Sequence, residues 1–113
     1  MPFVNIYLKQ NNTNNLLKIR EIIQKVVAEA ASGRERGVVN EAEVEVFFEH
    51  EKEGDYLIKS LVIHVSFKKT PERLENFEKR HENLFEAIKN ALPEYSNDFS
   101  LQTTLSEHEY SEA

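Results

Sequence analysis

The apolar pattern of the chain repeats at an offset of 58 residues, and each copy has the order strand, helix, strand. Residues 3–8 and 43–48 alternate as half-buried strands do, and apolar residues recur at helical spacing between them. The second copy has the same order in residues 57–67, 70–92 and 99–105. Without a gap, the helix stripe of the first copy falls on that of the second: Leu16, Ile19, Val26, Val27 and Ala30 on Leu74, Phe77, Leu84, Phe85 and Ile88. A self-similar period of this kind often decides the fold.

One strand and one helix cannot enclose a hydrophobic core, so the two copies are expected to pack side by side. The sequence predicts a two-layer α/β fold in which tandem β-α-β repeats form a four-stranded sheet with two helices on one face. The predicted single domain spans residues 1–113, with halves at about 1–54 and 57–113, and each crossover should be right-handed. A ferredoxin-like βαββαβ domain is the alternative, and it pairs its first and second strands differently.

Local signals predict where the second helix begins and ends. Thr70 suits the helix cap, Pro71 suits the first helical position, and Glu72 places an acid in the first turn. Pro93 cannot continue a helix and should end it. We therefore expect one helix between Pro71 and Pro93, with an apolar stripe that starts at Leu74.

The second face of the sheet has no helices to cover it. Phe3, Tyr7 and Phe47 lie on the side of their strands opposite to Val4 and Ile6, so this face also carries large apolar residues. Such a face must meet water or another subunit. We predict that oligomerisation buries it.

Composition excludes several classes of protein. The chain has no cysteine and a net charge of −6, which rules out disulfides and thiolate metal sites and argues against nucleic-acid and anionic-membrane partners. No apolar run could span a membrane and no signal-peptide pattern is present, so a cytoplasmic protein is expected. No phosphate-binding loop or metal-ligand spacing occurs, even at the matching Glu-His-Glu sequences around His50 and His108, so neither cofactor nor metal is predicted.

Pro2 is the residue with a specific chemical use. Aminopeptidases remove Met1 when the second residue is small, and this would leave a secondary amine at the start of the first strand. Desolvation and nearby cations would lower the pKa of that amine, because both disfavour its charged form. A base tuned in this way can take a proton from a carbon beside a carbonyl and return it elsewhere. The alternative is that Pro2 is an ordinary residue that opens an edge strand.

The sequence around Pro2 resembles the tautomerase superfamily. The segment Met-Pro-Phe-Val-Asn-Ile-Tyr-Leu, a polar loop, an amphipathic helix and the strand Val-Glu-Val-Phe-Phe-Glu at 44–49 are similar to the 4-oxalocrotonate tautomerase type of subunit. The doubled unit looks like the fused-repeat members, macrophage migration inhibitory factor and 5-carboxymethyl-2-hydroxymuconate isomerase. The second half resembles the latter most, through the strand to Phe67, the segment 83–89 and the closing strand. The resemblance implies a homotrimer with helices outside and sheets inside.

The resemblance also implies a reaction and its residues. Pro2 would be the general base at a subunit boundary of a tautomerase or isomerase that moves a proton in a small keto-enol or unsaturated keto acid. Asn12 and Glu45 stand where the family has anion-binding arginines. The substrate's carboxylate would therefore be bound by cations elsewhere, with four candidates: Lys69, Arg73, Arg34 and Arg36.

The sequence allows two interpretations of His64 and two of the function of the whole chain. His64 could be an acid in the pocket or a hydrogen-bonded histidine of the interior or an interface. The whole chain could also be a non-catalytic oligomerisation or small-ligand-binding module on the same fold, because arginines are missing at positions 12 and 45.

Overall fold

The computed structural model describes residues 2–12, 15–34, 37–107 and 113. Its single four-stranded sheet has the order β2-β1-β3-β4, with strands at Phe3–Leu8 (β1), Glu45–His50 (β2), Leu61–Lys68 (β3) and Phe99–Ser106 (β4). β1 pairs with β2 in parallel, β3 pairs with β4 in parallel, and β1 and β3 join the halves antiparallel. The predicted tandem β-α-β sheet is confirmed, and the ferredoxin-like alternative is wrong because the first two strands are parallel neighbours.

The first helix, α1, spans Leu16–Ala31, and the second helical segment is divided into α2 (Pro71–Glu75) and α3 (Phe77–Ala91). The Asn15 side chain caps α1 by accepting from the Lys18 N–H at 3.2 Å. The Thr70 hydroxyl caps α2 by accepting from the Arg73 N–H at 3.1 Å, as the sequence predicts.

The expectation of one unbroken second helix is wrong. The chain breaks at Asn76, whose backbone leaves the helical region, and α3 starts one residue later. The break also changes which side chains face inward: Leu74, expected to begin the apolar stripe, is 57% exposed, whereas Arg73 is 3% exposed.

Alternation in the strands separates the two faces of the sheet. Val4, Ile6 and Leu8 of β1 are fully buried, and so are Leu61 and Ile63 of β3. These side chains pack against the inner stripes of α1 and α3 and form one hydrophobic core. Burial of this apolar area is the main force that holds the two layers together.

The uniform offset of 58 residues describes the order of the elements but not their register. β1 and β3 begin at residues 3 and 61, α1 and α3 at residues 16 and 77, and β2 and β4 at residues 45 and 99. The spacings are therefore 58, 61 and 54 residues. At an offset of 58, the half-buried Phe3 falls on the fully buried Leu61, which faces the helices. The stretch from the start of β3 to the start of α3 is therefore longer than that from β1 to α1. The stretch from the start of α3 to the start of β4 is shorter than that from α1 to β2.

Two arginines of the second half close the C-terminal end of α1. The Arg73 guanidinium donates to the Ala31 carbonyl and to the Lys68 carbonyl, both at 2.8 Å. The Arg80 guanidinium donates to the carbonyls of Ala30 and Ser32. α1 has no basic residue in its own last turn, so these cations from α2 and α3 satisfy its final carbonyls and complement its dipole.

The face of the sheet opposite the helices is only partly covered. Its side chains are half-buried or exposed, and Phe47 is 53% exposed. Within the described part of the chain, no helix has the length and apolar character needed to cross a bilayer.

We predict that Arg73→Met lowers the free energy of unfolding by about 2–3 kcal/mol, because the buried carbonyl of Ala31 and the partly buried carbonyl of Lys68 lose their donor. Arg73→Lys should recover only part of this loss, since one ammonium cannot reproduce the fork of the guanidinium. Urea unfolding of both variants checks the prediction. Arg20→Met, at an exposed position on α1, is the control and should change stability by less than about 0.5 kcal/mol. Equal effects at positions 20 and 73 would contradict the assignment.

Candidate active site

Pro2 lies buried at the beginning of the sheet's first strand. Its carbonyl accepts from the Glu45 N–H at 3.3 Å, which extends the β1–β2 ladder by one step. The register places Pro2 beside Val44 on one side and Phe67 on the other, and both of these side chains are buried. The surroundings of Pro2 along the sheet are therefore apolar and low in water.

Arg73 lies over this apolar row from the helix side. Its guanidinium carbon is 5.6 Å from the centroid of the Phe67 ring, a distance at which the cation is attracted to the ring. Because the guanidinium also holds the carbonyls of Ala31 and Lys68, its position is fixed. Arg73 thus brings a positive charge behind Phe67, but its guanidinium already donates hydrogen bonds to carbonyls of the protein.

Lys69 and Glu107 lie at the same end of the sheet. The Lys69 N–H donates to the Ser106 carbonyl at 2.8 Å, and the Lys69 Nζ lies 3.0 Å from the Glu107 Oε1. Odd-numbered residues of β3 and β4 face the helices, as Pro2 does, and continuing this alternation puts Lys69 and Glu107 on that side. The Lys69 side chain is 40% exposed, so a small molecule can reach it.

Arg34 is brought to this end of the molecule as well. Its backbone N–H donates to the Glu72 carboxylate at 3.1 Å, and its side chain is exposed. The same carboxylate lies 3.8 Å from the Arg80 guanidinium and so close to Gly33 that a Cβ there would clash with it. The fourth predicted cation, Arg36, lies outside the described residues.

His64 faces the other side of the sheet. Its ring packs edge-on against Tyr7 at 5.2 Å between centroids. It lines an open depression of about 340 Å³ together with Phe3 and Asn5 of β1, Ser66 of its own strand, and Gln102 and Thr104 of β4. The structure therefore gathers Lys69, Arg73 and Arg34 towards Pro2 but places His64 on the uncovered face.

The counterpart of Pro2 in the second half is Ser60, which precedes β3. Its N–H donates to the Asp98 Oδ1 at 3.0 Å, and its hydroxyl donates to the Asp98 Oδ2. These hydrogen bonds, the hydroxyl one first, hold the pKa of Asp98 below its ordinary value. At the position where the first half has Pro2, the second half has Ser60, whose N–H and hydroxyl are both hydrogen-bonded to the Asp98 carboxylate.

Asn12, where the resemblance implies an arginine, lies four residues beyond the far end of β1. Its side chain donates to the Tyr95 hydroxyl at 3.1 Å, and its carbonyl bonds the His50 ring at 3.1 Å. Six residue steps of a strand separate Pro2 from Leu8, which is about 20 Å. Asn12 therefore does not line the pocket of its own Pro2.

His50 is held by this backbone contact, and no group of metal-binding side chains occurs among the residues that the structure covers. His108, its sequence counterpart, is not among them. Sequence reasoning missed three charged residues that contact the predicted cations or lie beside them: Arg80, Glu72 and Glu107. Of these, only Glu107 carries a usable signal, since it continues the inward-facing parity of β4 beyond Leu105.

Comparison with known proteins identifies the fold. No protein-family profile and no curated protein matches the chain. Among solved structures, 5-carboxymethyl-2-hydroxymuconate delta-isomerase is similar at a TM-score of 0.67 and 12% identity, over 100% of this chain and 87% of that one. Leishmania major MIF2 is similar at a TM-score of 0.64 and 10% identity, over 98% and 93%.

A fused 4-OT described as a wild-type symmetric trimer is also similar, at a TM-score of 0.59 and 13% identity, over 92% of this chain and 85% of that one. These proteins are tautomerase superfamily members, so the resemblance stated from the sequence is confirmed at the level of the fold. The chain has a tautomerase fold.

We predict that Asp98→Asn destabilises the protein by about 1 kcal/mol at neutral pH, because the half-buried carboxylate loses its charge-assisted hydrogen bonds. The depressed pKa means that this contribution is present above the ordinary aspartate value of about 4 and is lost as the pH falls through the lower, folded-state pKa. Urea unfolding of both proteins between pH 7 and pH 2 measures it. A stability difference that persists unchanged at the acid end would contradict the assignment.

Proposed function

We propose that this protein is an isomerase that moves a proton in a small keto-enol or unsaturated keto acid, with the N-terminal amine of Pro2 as general base. The observation that carries this proposal is the burial of Pro2 between Val44 and Phe67 in an apolar row, on a fold shared with known tautomerases. The proposal requires removal of Met1, because an amide nitrogen has no basic lone pair.

The surroundings of Pro2 support its use as a base. Apolar neighbours disfavour a protonated amine, and the positive charge of Arg73 behind Phe67 acts in the same direction. Both effects lower the pKa of the Pro2 amine and leave more of it in the form that accepts a proton. The ring fixes the direction of the lone pair, so a carbon acid bound above it meets the base in one orientation.

The cations divide into two roles in this proposal. Arg73 is a positioning residue, since its guanidinium already holds two backbone carbonyls. Lys69 is the substrate-binding cation best placed by the register, and Arg34 and Arg36 in the loop after α1 are the further candidates. A lysine or arginine that holds the carboxylate would also stabilise negative charge as the enolate develops.

We also propose a homotrimer, built on the uncovered face of the sheet. The large apolar side chains of this face include the 53% exposed Phe47, and a structural neighbour is itself a trimer. His64 lies on this face and would be a residue of the interface rather than of the pocket. The Asn12 amide lies too far from Pro2 of its own subunit, so in a trimer it would contact only the Pro2 of a neighbouring subunit.

A non-catalytic ligand-binding module is the second candidate function. Glu45 favours it, because this carboxylate lies one residue from the position paired with Pro2, where the family has a cation. A carboxylate at this position cannot supply the attraction for an acidic substrate that a cation would supply. Turnover separates the two candidates.

We predict that the protein tautomerises phenylenolpyruvate and that Pro2→Ala lowers kcat by at least about 100-fold, the usual contribution of a general base. The loss should fall on kcat more than on KM, because the base acts in the transition state. A spectrophotometric assay of ketonisation measures both constants. The matched control is Pro71→Ala, a proline exchange at an exposed helix start.

A second variant tests the chemistry of the nitrogen itself. A non-cleavable N-terminal extension keeps the Pro2 ring but turns its amine into an amide, and it should abolish turnover. Unchanged turnover in either Pro2→Ala or the extended protein would remove Pro2 as the base. Binding of the substrate without turnover in the unaltered protein would favour the module.

A further inference from the structure

The cations near Pro2 differ in how firmly they are held. Arg73 donates to the carbonyls of Ala31 in α1 and Lys68 in β3, and Arg80 donates to that of Ala30 in α1. Removing the arginines from these partners would leave polar groups unsatisfied. Lys69 instead contacts an exposed carboxylate, that of Glu107, whose side chain is 77% exposed. An exposed ion pair of this kind contributes little to stability and exchanges partners readily.

Resting on the function proposed above, we infer that Glu107 occupies the place of the substrate's carboxylate on Lys69. We further infer that the displaced Glu107 carboxylate makes the site selective for ligands with one negative charge over ligands with two. The bound carboxylate replaces that of Glu107 on the lysine ammonium. The exchange is one anion for another, so it needs no new positive charge and no change of fold.

Glu107 stays close after it has been displaced. It follows Ser106, whose carbonyl is held by the Lys69 N–H at 2.8 Å, so the backbone of residue 107 remains fixed beside the lysine. Its free carboxylate then repels any second negative charge on the ligand.

The remaining surface favours an apolar body on the ligand. The row beside Pro2 consists of Val44 and Phe67, and the arginine that lies against Phe67, Arg73, already donates to two carbonyls. A second carboxylate on the ligand would therefore meet apolar groups or like charge. The class of ligand that fits is an enolisable carbonyl compound with one carboxylate and an apolar substituent.

Binding measurements on the full-length protein test this inference. Phenylpyruvate serves as the monocarboxylate and oxaloacetate as the dicarboxylate, and calorimetry gives each Kd for the wild type, Glu107→Gln and Lys69→Met. The wild type should bind phenylpyruvate more tightly than oxaloacetate. Glu107→Gln should tighten the binding of both, by about two- to fivefold for phenylpyruvate and by more for oxaloacetate, since it removes both competitor and repulsion. Lys69→Met should weaken phenylpyruvate binding, and Glu107→Gln should then have no further effect.

Glu82→Gln, at an exposed position on α3, is the control for loss of one surface negative charge. The inference is overturned if Glu107→Gln acts no more strongly than Glu82→Gln, or if Lys69→Met leaves phenylpyruvate binding unchanged. It is also overturned if the wild type binds neither ligand or prefers oxaloacetate. These outcomes concern affinity, whereas failure of the proposed function appears as turnover that survives Pro2→Ala, so the two failures are distinguishable.

Discussion

The closure of the C-terminal end of α1 by Arg73 and Arg80 is the interaction on which the candidate site depends. A helix end that packs against other elements needs donors for its last carbonyls, and α1 supplies no basic side chain of its own there. The donors come from the second half of the chain, so the capping contact also fixes α2 and α3 relative to the first half. The same Arg73 guanidinium reaches the end of β3, beside the strand that begins with Pro2.

This arrangement explains the mixed character of the Pro2 end. Structural use of Arg73 brings a positive charge behind Phe67, the residue paired with Pro2, and a positive charge disfavours protonation of a nearby amine. The same use commits the donors of both arginines to backbone carbonyls, whereas Lys69 pairs with the exposed carboxylate of Glu107. The two halves of the chain differ in this respect, because the second half closes its equivalent of the Pro2 position with Ser60 and Asp98, at the opposite end of the sheet.

The order of elements could be predicted from the sequence because it depends on local signals. The alternation of β1 and the Thr70-Pro71 start of α2 need no tertiary information, and both are confirmed. The break at Asn76 and the burial of Arg73 could not be predicted, since a periodic pattern assigns a cation to solvent. The carbonyl that makes its burial favourable, that of Ala31, lies 42 residues away in the sequence.

The candidate site was predictable to a similar extent. Pro2, Lys69, Arg73 and Arg34 could be named from residue type and resemblance, and the structure places all four towards one end of the molecule. The partner of Lys69 depends on the register between β3 and β4, which a sequence pattern does not specify. His64 lies on the uncovered face because side chains alternate along β3, and Leu61 and Ile63 take the positions that face the helices.

Titration of the Pro2 nitrogen by NMR, in protein labelled with ¹⁵N-proline, tests the central claim most directly. The account predicts an amine resonance for residue 2 that titrates with a pKa below that of a solvent-exposed N-terminal proline. It also predicts that Arg73→Met moves this pKa upward, because a nearby positive charge is lost. A resonance in the amide range would show that Met1 is retained, and either this result or a pKa equal to that of exposed proline would contradict the account.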